Sequence, residues 1–264
     1  MCGKRYEMRN TRKRIICRKI RVHNYKNNQI DQDIKWMLFP LNLMQMITFF
    51  PKYSIRSNII KPNSLILKFV SLTATILFIS AFIHRHFTLL SRSNIHSSSL
   101  IYTYAATVAF CLGCIINFIY SVIKTRDQII FVLTIQRIHR FLNNRNVYKH
   151  FVIWNWIYVI GLFIFYISAV TYFTIMLNLP IYSTYSSVIL ICHDVNLICA
   201  IRLMRLLQDK AVLWNDKIWF QENENGHHNN VCRRTFKVYV DILKSFNVYR
   251  TVFQIPVSKF MLNS

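Results

Sequence analysis

Two stretches of this chain run without a charged residue for longer than helices of water-soluble proteins usually do. Residues 100–123 (LIYTYAATVAFCLGCIINFIYSVI) and 151–177 (FVIWNWIYVIGLFIFYISAVTYFTIML) contain no Asp, Glu, Lys or Arg. At about 1.5 Å per residue, a helix made from either run exceeds the ~30 Å hydrocarbon core of a bilayer. Residues 64–83 form a third run, broken only by Lys68 near one end, where an ammonium can reach the membrane interface. A fourth, residues 181–201, carries His193 and Asp194 near its middle. These runs predict an all-α fold, a polytopic membrane helix bundle with four spans in a membrane domain at 64–201. Residues 36–50 (WMLFPLNLMQMITFF) are too short to span and are closed by Pro51. Residues 36–63 are therefore expected to form an interfacial or re-entrant segment.

Composition sharpens this reading. Hydrophobic residues are 53% of the chain and charged residues 16%, yet the formal net charge is +23. A basic, water-soluble domain would point to nucleic acid, but here the cations alternate about the apolar runs. Counting Lys and Arg, residues 1–35 hold 11, 84–99 hold 2, 124–150 hold 6, 178–180 hold none and 202–250 hold 9. Cytoplasmic loops are enriched in these residues, so the alternation predicts a basic cytosolic N-terminus at 1–35 and short outer loops. It also predicts long cytosolic helical extensions, with 202–264 leading into an incomplete fifth span. The basic N-terminal run is expected to meet anionic membrane lipid rather than nucleic acid. Apolar residues at helical spacing (Ile129, Val132, Leu133; Leu203, Leu206, Leu207, then Val212, Leu213) predict that the extensions pack on one another or on neighbouring subunits.

The catalytic vocabulary is thin. Gly3, Gly113, Gly161 and Gly226 are too dispersed for a phosphate-cradling loop. No metalloprotease or nucleophile-elbow pattern occurs, so neither catalytic residues, nor a metal, nor a cofactor is expected. Cys111-x-x-Cys114 lies inside an apolar run and reads as small packing residues. His84, His86 and His96 share one outer loop, and Gly226-His227-His228 lies near Cys232, but neither set specifies a full ligand shell.

Asp194 stands apart, because a carboxylate at membrane depth is costly and marks function or pairing. Its depth lies within about 5 Å of that of Lys68, at 1.5 Å per helical residue. The two are expected either to be neighbours or to leave Asp194 facing a wet cavity. Aromatic residues gather towards the outer side. Tyr102, Tyr166, Tyr172 and Tyr185, with His193, are candidate ligand-binding residues; an interfacial aromatic belt would use the same tyrosines.

The basic head, the Pro-flanked segment PLNLMQMITFFP, the stretch SSVILICHDVNLICAIRLMRLLQDKAVLWND and the region VYVDILKSFNVYRTVFQIPVSKF together resemble the insect gustatory receptor family. The resemblance covers roughly residues 36–264 and is one of hydrophobicity and spacing. It implies a seven-span plasma-membrane subunit of inverted topology, gated by a small-molecule tastant as a non-selective cation channel. Such subunits assemble as homo- or hetero-tetramers with related receptor subunits. The family's Thr-Tyr, five apolar residues, Gln-Phe signature is not met: Thr171-Tyr172 is followed by FTIML and Asn178. The expectation is accordingly a chain truncated after the fourth span, without the C-terminal pore spans. Another multi-pass transporter or receptor fragment is the alternative.

Overall fold

The computed structural model describes residues 28–92, 97–142, 145–176, 191–224 and 229–254. Helix α1 spans Gln32–Ile47 and is followed by strands β1 (Ser54–Arg56) and β2 (Ile59–Lys61). Then come α2 (Leu65–Arg92), α3 (Ser97–Ile123), α4 (Thr125–Leu142), α5 (Arg145–Met176), α6 (Ile191–Glu224) and α7 (Asn229–Tyr249), which passes into a π-helical turn at Arg250–Gln254.

Among the described residues, three helices are long and apolar enough to cross a membrane, over Leu65–Thr88, Tyr104–Ile123 and Tyr148–Met176. They match the first three expected spans. Of the fourth expected span, residues 181–190 lie outside the described residues, and residues 191–201 open α6, which continues unbroken to Glu224. The outward faces of α2, α3 and α5 are apolar: Leu65, Ile101, Phe165 and Ile175 are all largely exposed. Water would disfavour that surface strongly, whereas a bilayer solvates it. The α2–α3 pair packs through stacked Phe82 and Phe110, whose centroids are 5.4 Å apart, with Cys114 buried beside them.

The remaining helices build a different kind of layer. Ile34, Met37, Leu38, Leu41 and Met44 recur at three- and four-residue steps along α1 and are all buried. The upper part of this stripe joins Ile129, Val132, Ile135 and Ile138 of α4, Leu206 and Leu207 of α6 and Val238 and Ile242 of α7 in one core. Residues 36–63, expected at the membrane surface, thus contain most of a buried-face helix that begins before them at Gln32, and then a hairpin. Helix α1 stops because Phe49 adopts φ of 64°. The Phe50 and Phe49 amides then donate back to the Gln45 and Met46 carbonyls at 2.9 and 3.1 Å, the bond pattern of a left-handed helix stop.

The hairpin was not expected from the hydrophobic pattern. Ser57 and Asn58 both have positive φ, which is what a two-residue turn matched to strand twist requires. The turn is tied down at its Asn58, whose side-chain oxygen accepts from Lys35 Nζ at 3.0 Å and whose carbonyl accepts from the Ile30 amide at 2.8 Å.

Candidate functional site

Helices α5 and α6 run antiparallel and meet along one edge of each. On α5 the buried positions Phe151, Asn155 and Val159 fall four residues apart, and Tyr166 lies further along that side. On α6 the facing residues are Cys192, Val195, Cys199 and Arg202. This seam carries two polar contacts inside otherwise apolar surroundings.

The first contact joins two candidate residues: the Tyr166 hydroxyl donates to Asp194 Oδ2. Asp194 is half-buried, as is its neighbour Asn196, whose amide donates to the Cys192 carbonyl at 2.8 Å. The partner of Asp194 is therefore a phenol from α5, and no ion pair links it to Lys68 among the described residues. The phenol satisfies one carboxylate oxygen without adding a second full charge to the seam. The other oxygen is left for a further donor.

Of the other candidate residues, Tyr172 is exposed on α5, about 9 Å further along the helix at 1.5 Å per residue. Tyr102 and His193 sit on α3 and α6, with side chains outside the described set, and Tyr185 lies outside the described residues. His86 is buried against Tyr104, at 5.7 Å between ring centroids, while His84 is exposed. Residues 93–96 and 225–228, with His96, His227 and His228, are outside the described residues. Cys111 and Cys114 carry free thiols.

The second contact lies about 16 Å along α5 towards its start, eleven residues away at 1.5 Å each. Asn155 is fully buried and serves two helices at once. Its amide donates to the Met37 carbonyl of α1 at 2.8 Å, and its oxygen accepts from Arg202 Nε at 2.7 Å. The guanidinium of Arg202 is held between Phe151 and Tyr158, at 4.8 and 4.9 Å from their ring centroids. Aromatic faces are a favourable seat for a partly desolvated guanidinium. Sequence reading counted Arg202 only as a topological charge and passed over Asn155, because a single Asn in a span has no periodic signal.

Beyond this junction α6 enters the basic layer. Lys210 is fully buried, with Nζ 2.9 Å from His139 Nδ1 of α4. Burial pushes the Lys210 ammonium down to about 8 and also lowers the pKa of His139, on which the Lys210 charge acts in the same direction. With Lys210 donating, His139 accepts at Nδ1 and carries its proton on Nε2, facing Asp33 at 3.9 Å. The start of α1 is clamped to the same face of α4: Arg140 grips Asp31 at 2.6 and 2.7 Å, and Gln136 donates to the Gln29 carbonyl at 3.0 Å. The guanidinium of Arg140 holds the Asp31 carboxyl below the ordinary carboxylate range. Arg137 of α4 engages Asp241 of α7 at 2.9 and 3.0 Å.

The arrangement therefore links what no isolated residue could. A continuous helix, α6, carries Asp194 beside Tyr166, Arg202 at the junction and Lys210 in the basic core. Comparison with protein-family models, with curated proteins and with solved structures returns no match.

Proposed function

We propose that the chain is a chemosensory receptor subunit of the insect gustatory type. In this reading it serves a tastant-gated, non-selective cation channel of the plasma membrane, with its N-terminus in the cytosol and four spans in this chain. The observation that carries the reading is the course of α6, from Asp194 with its Tyr166 partner to the buried contacts of Arg202 and Lys210. A small molecule bearing a hydroxyl or amine would compete for the Asp194 carboxylate in the outer half of the seam. Tyr102, Tyr172, Tyr185 and His193 would line the approach. Displacing Tyr166 shifts α6 against α5, and the rigid helix passes that shift to the basic layer, where α4 and α7 pack. The Lys and Arg alternation and the resemblance described above support the orientation and the receptor class. Assembly would be as a tetramer, with itself or with related subunits, surrounded by membrane lipid.

The test is electrical. The full-length transcript, expressed alone and with related subunits, is expected to give cation current in response to a tastant panel. Tyr166→Phe removes the competing donor and should lower the half-effective concentration about tenfold, the worth of one hydrogen bond to a charged group, whereas Asp194→Asn removes the charge the ligand seeks and should raise it by more. Current that ignores both substitutions, or no evoked current with the protein at the cell surface, removes this reading.

A further inference from the structure

A narrow cavity of about 20 Å³ lies where α1, the segment after it, α4, α6 and the π-helical turn converge. Its wall is mainly apolar, with Leu38, Leu41 and Val132, but Gln45, Lys52 and Gln128 also face it. All three polar side chains are buried, Gln128 with only 5% of its surface exposed. Gln128 Oε1 has no hydrogen-bond donor. A buried amide oxygen left without a donor is among the costlier defects a core can carry.

The volume and the chemistry restrict what fills this space. One water needs roughly 10–15 Å³ of such volume, so the cavity holds a single water and excludes an organic ligand. Chloride has no proton to give Gln128 Oε1. A metal cation would sit beside the Lys52 side chain with no carboxylate in the wall to neutralise it. We propose that the cavity is a binding site for one water molecule, which donates to Gln128 Oε1 and bridges α4 to the polar side chains of Gln45 and Lys52. The position gives that water a mechanical role. Lys52 precedes α2, Gln128 lies one turn after the end of α3, and Cys199 and Val252 belong to α6 and the π-helical turn. The water therefore joins segments that lead into or out of apolar helices, at the level where the two layers of the molecule meet.

Water-selective NMR on the full chain in lipid nanodiscs, with labelled Leu and Val methyls, tests the site. Cross-peaks from a long-lived water to the Leu41 and Val132 methyls are expected in the unaltered chain, and their loss is expected in Gln128→Met. Gln128→Met should also lower the melting temperature, by about 4 °C on the scale typical for a chain of this size. Val132→Ile leaves every polar group in place and extends one methyl into the space; it should expel the water and lower the melting temperature as well. A dry cavity gives the opposite pattern: no cross-peaks, with both variants as stable as the parent or more so, since each fills a void or removes an orphan. That pattern overturns the proposal, as do cross-peaks that persist in Gln128→Met.

Discussion

Ile164 and Ile138 are the same side chain on two helices of one molecule, yet 58% of Ile164 is exposed and none of Ile138 is. Ile164 belongs to the second half of α5, where Ile160, Phe165, Ile167 and Tyr172 are also exposed. Ile138 belongs to α4, where the apolar residues are gathered on one side and Arg137 and Arg140 take the other. The difference separates a layer that hides its apolar side chains from helices whose exposed apolar faces suit a bilayer. In the basic layer, water drives apolar side chains inwards, and the hydrophobic effect holds α1, α4, α6 and α7 together. Between apolar helices surrounded by lipid no such force would act, and contact would rest on packing and on a few polar pairs such as Tyr166 with Asp194.

The comparison can be broken most severely at the seam between the two layers. Asn155→Leu removes the acceptor of a buried guanidinium and the donor to the Met37 carbonyl together. It is expected to cost about 3–5 kcal/mol, the scale of a buried charge deprived of its partner, and to show as loss of folded protein in a thermal melt. A variant that melts unchanged would mean that Arg202 is solvated by other means. Next in size is the matched pair of isoleucines. Ile138→Ala should destabilise by about 2–4 kcal/mol through the cavity it leaves, whereas Ile164→Ala should change little; equal effects would erase the distinction between the layers.

Ile164→Lys asks which solvent surrounds α5. At a membrane-centre position it should cost about 2.5–3.5 kcal/mol in a translocon insertion assay. On a surface facing water the same change would be neutral or would raise solubility. The pH response belongs to the basic layer. Lys210 and Lys52 are both pushed by burial to about 8 from an ordinary value of 10.5. The unfolded chain therefore binds more protons between those values, and stability should rise as pH goes from 8 to 10.5. Lys210→Met should flatten part of that rise in denaturation curves; an unchanged slope would mean that Lys210 titrates normally. The smallest effect is at the clamp. Asp31 is held below the ordinary carboxylate value, so its contribution is present at neutral pH and disappears as pH falls through its lowered folded value. Because Arg140 and Asp31 are both partly exposed, Asp31→Asn is expected to cost under about 1 kcal/mol at neutral pH, read from the melting temperature.

Much of the architecture was legible because it rests on local signals. An uncharged run states its solvent by itself, and residues 100–123 and 151–177 needed no partner to be read as spans. The periodic Ile129, Val132 and Leu133, or Leu203, Leu206 and Leu207, likewise announced packed helices. The hairpin at residues 54–61 was hidden, since its signal is two residues of turn chemistry, Ser57 and Asn58, between strands too short to show alternation. The site was legible as an inventory and not as an arrangement. Tyr166 and Asp194 were both singled out, but their pairing across 28 residues was not; depth alone suggested Lys68, and depth says nothing about which face of a helix a side chain occupies.

By itself the sequence determined the elements that answer to their immediate solvent: three helices long and apolar enough for a membrane, and helices with one apolar face for the basic layer. Those properties belong to contiguous residues and survive any arrangement of them. Only the tertiary structure decided what the cations do. Arg202, Arg140, Arg137 and Lys210, read along the chain as one asymmetric charge, take separate partners in Asn155, Asp31, Asp241 and His139. The pairings span 47 to 109 residues, and they exist because helix packing brings each charge to one polar partner, with water removed around Arg202 and Lys210 and still present at Arg137 and Arg140.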